Sequence, residues 1–446
     1  MALALLGFAM VVSFMTLVMT RRMTAVVALI IVPILFALAA GSGVGTGAMM
    51  LKGVGQVAPT AVMLMFAIIY FGVMIDAGLF QPLVTRIVGW AGQNPVKVMV
   101  GHVALCAAVG LDGDGTTTTL VCVSAMLPVY RRLGISPLKF AVLGGGTFIL
   151  MNMSPWGGPA ARVAAALKVE PSQLFLPILP VAAAGLVAMA LLAWRFGLQE
   201  RKRLAEEGAI AAAAEPEERP EIAADQLAAT AFQTDPAALR PRLIWVNLAL
   251  TLVLMTAVVL HLAPLPALFM LGAALALMIN YPKLSEQRTR LTAHAGNVLS
   301  VGVMVLAAGA FTGVMTETGM IDAMAGSMLK VLPPWMGPYL APITALVSIP
   351  ANFFLSSDAF YFGVVPVIAQ TAQAYGVTPA EIGRASLLGG PVHALSPLVA
   401  AVYLSCALLN IELADLQRFA WKYFVGLSLV LIVAALVFGA IPFFAG

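Results

Sequence analysis

The chain is 446 residues long with a formal net charge of +4. Its 61% hydrophobic content, 10% charged content and mean hydropathy of +0.99 leave too little polar surface for a water-soluble globule of this length. Most of the surface must face lipid, so the expected fold class is an all-α polytopic membrane protein; the excess of positive charge reads as topology, and nothing resembles a nucleic-acid patch.

An apolar segment needs about 20 residues to cross the bilayer core. In the first half, spans are expected at 1 to 20, 24 to 41, 57 to 79, 138 to 160 and 173 to 195. The first has its basic pair, Arg21-Arg22, after the apolar run, which suits a retained helix with its N-terminus outside and not a secretory signal. The stretch from 97 to 131 is apolar but interrupted from Asp112 to Thr119, leaving legs too short to cross, so it reads as a re-entrant hairpin. Residues 196 to 242 hold nine of the twenty carboxylates among Pro216, Pro220, Pro236 and Pro241, and read as a cytoplasmic linker. The second half has expected spans at 243 to 261, 264 to 281, 297 to 319, 380 to 405 and 419 to 444, with a second hairpin at 338 to 373, interrupted from Asn352 to Tyr361. Cys106, Cys122 and Cys406 lie in apolar stretches without metal-ligand spacing and read as buried small hydrophobes.

The halves, 1 to 195 and 243 to 446, repeat one another. Gly134-Ile135-Ser136-Pro137 is followed eighteen residues after its serine by Ser154-Pro155, and Gly376-Val377-Thr378-Pro379 is followed eighteen residues after its threonine by Ser396-Pro397. Gly72 to Gly78 recurs as Gly313 to Gly319, and Leu111 to Asp114 as Leu355 to Asp358. With each half as five spans and one hairpin, nineteen of the 24 lysines and arginines fall on one face and five on the other, namely Lys52, Arg162, Lys168, Lys330 and Arg384. The positive-inside rule makes the first face cytoplasmic, so both termini lie outside and the two repeats are inverted. Paired interruptions of this kind point to a transporter's binding site at the repeat interface.

Eleven carboxylates lie outside the linker, and five of them, Asp76, Asp112, Asp114, Glu317 and Asp358, fall in repeated motifs. A charge at membrane depth costs roughly 2.5 to 3.5 kcal/mol on insertion scales, which makes the tip residues Asp112, Asp114 and Asp358 functional candidates, with helix capping as the alternative. Asp76 and Glu317, near span ends, are open to an interfacial or a proton-handling role. The first tip adds Gly113, Gly115, Thr116 and Thr117, a backbone and hydroxyl set suited to an anion at a helix start. The facing tip offers Asn352, Ser356, Ser357 and Tyr361. Two Ser-Pro breaks supply Asn152, Ser154, Pro155, Gly157 and Gly158 in one half, and His393, Ser396 and Pro397 in the other, where helix cannot stay regular. Arg162 is placed either to meet a substrate carboxylate or to sit at the outer interface. His102 reads as a packed core histidine and His393 as the better proton candidate. Amide-rich tips attract anions while their aspartates repel them; a proton-coupled site through Asp112, Asp114, Asp358 and His393, or a substrate carrying its own divalent metal, resolves that tension.

At Leu111 to Thr118, Pro155 to Arg162, Asp358 to Gly363 and Leu395 to Leu398 the sequence resembles the citrate-metal:proton symporter family, within the ion transporter superfamily. The resemblance implies proton-driven symport of citrate complexed with a divalent cation by an inner-membrane homodimer with an elevator-like moving domain, and no resident cofactor. By that likeness the tips and breaks form the substrate site, the metal arrives with citrate, and Asp112, Asp114 and Asp358 are its possible contacts. The usual Ser-Asn-Thr hairpin signature is replaced by Asp-Gly-Asp-Gly-Thr and Ser-Ser-Asp, which agrees with protons in place of sodium. Another di- or tricarboxylate symporter, or a sodium/proton antiporter, is the alternative on the same scaffold. An intramembrane aspartyl protease fits less well, because Leu111 occupies the first glycine of its Gly-x-Gly-Asp pattern and the repeat would go unexplained.

Overall fold

The structure, a computed structural model, describes residues 2–92, 94–113, 115–211 and 236–445, with the backbone alone at positions 112, 116, 207–211, 236 and 400. Every regular element among the described residues is helical. The first half runs α1 (Ala2–Met19), α2 (Ala25–Ala39), α3 (Thr46–Asp76), α4 (Gln81–Ala91), α5 (Pro95–Val109), α6 (Gly115–Arg132), α7 (Pro137–Met151), α8 (Gly158–Leu167) and α9 (Pro171–Ala211). The second runs α10 (Ile244–Val259), α11 (Leu265–Asn280), α12 (Leu284–Glu317), α13 (Met320–Val331) and α14 (Leu340–Phe354). A π-helical turn, Ala359–Val364, then leads into α15 (Val365–Gln373), followed by α16 (Pro379–Leu387), α17 (Gly390–His393), α18 (Ala400–Leu409) and α19 (Leu413–Val437). Both halves thus order their elements alike: two helices, a long one, a short one, a helical hairpin, a broken helix and a long closing helix.

Two of the repeated motifs turn out to be helix punctuation. Gly134 and Gly376 have φ of +64° and +80°, and the residue after each donates its amide back into the helix just ended, Ile135 to Tyr130 and Val377 to Ala372. Glycine tolerates that left-handed stop. Pro137 and Pro379 then open α7 and α16, where proline's missing N–H costs nothing, and Thr378 forms a capping box with Glu381. Gly78 and Gly319, also left-handed at +85° and +72°, end α3 and α12 and turn the chain into α4 and α13.

The long helices α3 and α12 pack antiparallel at the centre of the molecule. Lys52 meets Glu317 at 2.8 Å at one end, and Asp76 meets His294 at 2.9 Å and Arg290 at 3.3 Å at the other. Between them the backbones approach so closely that a Cβ on Gly53 would lie 2.0 Å from the Gly309 carbonyl oxygen. Small residues at a lipid-solvated helix crossing allow this contact. The neighbours follow the same exchange, with α2 lying on α12 and α11 on α3.

Against the expected spans, several bounds change for physical reasons. The apolar runs at 57–79 and 297–319 mark only the later parts of α3 and α12; their polar starts are helical too, held by the partner helix. Six helices are long and apolar enough to cross a membrane alone, whereas α2, α5, α7 and α11 are shorter apolar helices. The segments 138–160 and 380–405, expected as single spans, are tandem helices, α7 with α8 and α16 to α18. The short helices α4 and α13, not anticipated, follow the glycine stops. α9 continues to Ala211, well into the segment read as linker, and residues 212–235 lie outside the described residues. The linker's far end is docked: Arg240 donates its amide to Ala77 and its guanidinium to the Asn280 carbonyl.

Candidate functional site

Each hairpin tip is seated on the helix break of its own half. In the first half, α7 ends at Asn152, whose side-chain oxygen turns back to accept the Gly158 amide at 3.0 Å and so caps the first turn of α8. Gly157 passes so close that a Cβ there would sit 2.0 Å from the Asn152 carbonyl. Trp156 donates its indole N–H to Leu111 at 2.6 Å, and Gly113, left-handed at φ +76°, lies against the Trp156 backbone. In the second half His393 is the clasp: Nδ1 is 2.9 Å from the Asn352 carbonyl and Nε2 is 2.9 Å from the Ser357 hydroxyl. Ser396 adds a hydrogen bond to the Phe353 carbonyl at 2.9 Å.

The halves are then crossed. α8 packs on the π-turn and α15 of the second hairpin, while α18, its counterpart, packs on α6 of the first. Across the first of these junctions Arg162, in the opening turns of α8, donates to Asp358 at 2.7 Å. Asp358 occupies the N-cap position of the π-turn without capping it; the Ser356 hydroxyl accepts the Ala359 amide instead. The carboxylate is therefore committed to Arg162 and not to its own backbone, and Arg162 lines the cavity described next. The π-turn carries Phe360, Tyr361 and Phe362, all buried, and widens the helix where the tip must meet α8.

A cavity of about 320 Å³ opens where tips and breaks meet, a size that suits a small ligand. Of the residues expected at the site, Gly113, Gly115, Asn152, Gly158, Arg162, Ser357 and His393 line it, joined by Thr118 and Thr119. Asp358 reaches it through Arg162. Asn352, Ser356, Tyr361, Ser396 and Pro397 shape the second tip and break from behind, Tyr361 through a hydrogen bond to Asn352 and the Pro397 carbonyl by accepting from Tyr403. Ser154, Pro155 and Gly157 form the turn beneath the first wall. Thr117 is on α6 but not on the wall. Asp114 lies outside the described residues, as do the side chains of Asp112 and Thr116. Asp76 and Glu317 are held at the two ends of the α3 and α12 pair, away from the cavity.

The cavity also has a wall that sequence reasoning did not assign to it: His102 and Cys106 of α5, Cys122 of α6, and Phe140, Gly144 and Phe148 of α7. All three cysteines are buried and outside any disulfide, with the Cys106 and Cys122 sulfurs 3.2 Å apart across the hairpin. His294, also not singled out, contacts Asp76 from one turn beyond Arg290; that i, i+4 pair of basic groups was the available signal. Among the described residues no three acidic, histidine or cysteine side chains converge as a metal site.

Comparison with known proteins completes the description. A family model described as Citrate transporter matches residues 4–389. Two Bacillus subtilis proteins are similar along nearly their whole length: a "Citrate transporter", 49% identical over 99% of this chain and 100% of that one, and a "Mg(2+)/citrate complex secondary transporter", 44% identical over 98% and 99%. Among solved structures, the YdaH transporter of Alcanivorax borkumensis aligns with a TM-score of 0.55 at 12% identity, covering 90% of each chain. The MtrF efflux pump of Neisseria gonorrhoeae aligns with a TM-score of 0.57 at 14% identity, covering 90% of this chain and 84% of that one. At such identities the likeness is one of fold.

Proposed function

This chain belongs to the citrate transporter family, and on that premise we propose that it is a secondary transporter carrying citrate complexed with a divalent metal ion of the Mg²⁺ or Ca²⁺ kind, in symport with protons. The observation that carries the reading is the 2.7 Å pair of Arg162 and Asp358 at the cavity. An ion pair is the electrostatic complement of a ligand that carries both signs. A citrate carboxylate takes the guanidinium in a charge-assisted, bidentate geometry, and the metal takes the carboxylate that the guanidinium releases. The swap leaves no uncompensated charge in a partly buried site, where one would be costly. On the cavity wall Thr119 adds a hydroxyl for the remaining oxygens. The 44% identical relative that is named for a Mg²⁺/citrate complex supports the same substrate.

Proton coupling is assigned to Asp112, Asp114, Asp358 and His393, with Asp112, Asp114 and Asp358 as the contacts for the incoming metal. The halves are inverted repeats with re-entrant hairpins; the antiparallel α3 and α12 pair and the reciprocal packing of α8 and α18 support this. In the elevator motion that follows, the hairpins and broken helices carry the site along α3 and α12. The transporter works as a homodimer in the inner membrane, with both termini outside.

The test is uptake of labelled citrate into proteoliposomes with and without divalent ions, under imposed pH or sodium gradients. Uptake is expected to need a divalent ion and an inward proton gradient, and citrate accumulation indifferent to EDTA would sink the metal-complex reading. A requirement for sodium in place of the pH gradient would overturn the coupling ion alone.

A further inference from the structure

We propose that His102 is a substrate-binding residue, a hydrogen-bond donor to an oxygen of the bound polycarboxylate, and not a core histidine. The inference rests on the substrate reading above. His102 is fully buried on α5, with its ring stacked 4.0 Å from Phe140 and edge-on to Tyr130. Its Nδ1 lies 3.1 Å from the Tyr130 hydroxyl, while its Nε2 has no hydrogen-bond partner. Buried polar nitrogens are rarely left so, and an unmatched one on a cavity wall points to a partner that enters the cavity.

The tautomer follows from the hydrogen-bond count. Tyr130 is fully buried, and its hydroxyl has no other hydrogen-bond partner among the described residues. The O–H therefore donates to Nδ1, which places the ring proton on Nε2. Tyr130 and Phe140 fix the ring plane from two sides, so Nε2–H is pre-aimed. It faces Gly144 of α7, where a Cβ would stand 3.4 Å from the nitrogen, and both residues line the same cavity as Arg162 and Asn152. The nearest thiol, Cys106, is already turned to Cys122. The Cys106 sulfur lies beside the same Gly144 but is only a weak acceptor, so a ligand oxygen is the stronger partner for this proton. The ligand is then gripped by donors from two elements, Arg162 on α8 and His102 on α5, which favours an acid with carboxylates at separated positions over a smaller anion.

The experiment is calorimetric titration of purified, full-length protein with Mg²⁺-citrate, alongside thermal unfolding of the unliganded protein. His102→Leu should weaken binding about 10- to 100-fold, the loss of one hydrogen bond to a charged group, with the unfolding temperature unchanged or raised. His102→Gln, which retains an N–H donor, should recover most of the affinity. Gly144→Ala keeps the histidine but crowds Nε2, and should weaken binding several-fold, which keeps the test open if His102→Leu fails to fold. Wild-type affinity in folded His102→Leu, or in Gly144→Ala should His102→Leu not fold, overturns the inference. Wild-type protein that ignores Mg²⁺-citrate but binds another polycarboxylate defeats the substrate reading instead; the same variants titrated with that acid then decide the role of His102.

Discussion

At the first break the chain leaves α7 at Asn152, caps α8 with the Asn152 side chain and projects Arg162 into the cavity; at the second it leaves α17 at His393 and reaches α18 by way of Ser396. Placed at the spacing that relates Ser154 to Ser396, Ala394 stands for Asn152, Val399 for Gly157 and Leu404 for Arg162. Serine and proline, which make the break, are kept, whereas the residues that give it charge and donors are not. The duplication therefore supplies the shape twice and the cation once.

The largest effect that tests this asymmetry is on the charged pair. Arg162→Gln and Asp358→Asn should each reduce Mg²⁺-citrate uptake by roughly 100-fold or more, as when one partner of a hydrogen-bonded, largely buried charge pair is removed. The double variant is the sharper probe. If the two groups serve only to neutralise one another, removing both restores function; if each receives one charge of the ligand, the double variant stays as poor as the worse single one. Recovery of uptake to within a few-fold of wild type would reduce the pair to a structural clasp.

A smaller effect is expected from the break's backbone. Gly157→Ala forces a Cβ to 2.0 Å from the Asn152 carbonyl, a backbone atom with nowhere to move, and should cost roughly 1 to 3 kcal/mol in stability with a matching fall in unfolding temperature. Val399, at the corresponding place, already carries a branched side chain on the cavity wall, so Val399→Gly should leave stability closer to wild type and act through a looser site. Equal destabilisation by both would show that the two breaks share more than their serine and proline.

How much of this was legible in the sequence follows from what each signal reports. Prolines, glycines and aspartates inside apolar stretches mark places where helix cannot continue, and the structure has its tips and breaks at Asp112, Asn152, Asp358 and His393. The partner of Arg162 lies 196 residues away on the other half, and no local pattern encodes that distance. Asp358 was open to capping or to function because composition cannot say where a carboxylate turns; in the structure the Ser356 hydroxyl takes the cap and the carboxylate pairs with Arg162. His102 read as core because a lone histidine in an apolar run usually is one, and only the unpartnered nitrogen beside a cavity says otherwise. The extra length of α3 and α12 was hidden for the opposite reason: their first turns are too polar for a span and are helical because the partner's glycines admit them.

The smallest effect concerns the two carboxylates that the motifs set equivalent, Asp76 and Glu317. Both end a long helix and both pair with the second or third turn of the other, yet the surroundings differ. The Glu317 and Lys52 side chains are 28% and 60% exposed, so water and salt screen the pair, and Glu317→Gln should change stability by no more than about 0.5 kcal/mol. Asp76 is only 13% exposed and is shared by Arg290 and His294, with the His294 ring over Gly72. Asp76→Asn takes the carboxylate out of this largely buried cluster, and the loss should exceed that of Glu317→Gln by about 1 to 3 kcal/mol. The two variants compared by chemical unfolding in one detergent check this directly. If Glu317→Gln proved the costlier, the exposed end of the α3 and α12 crossing would be the one holding the halves together, and the glycine contact at Gly53 could not be the reason that end needs no buried charge.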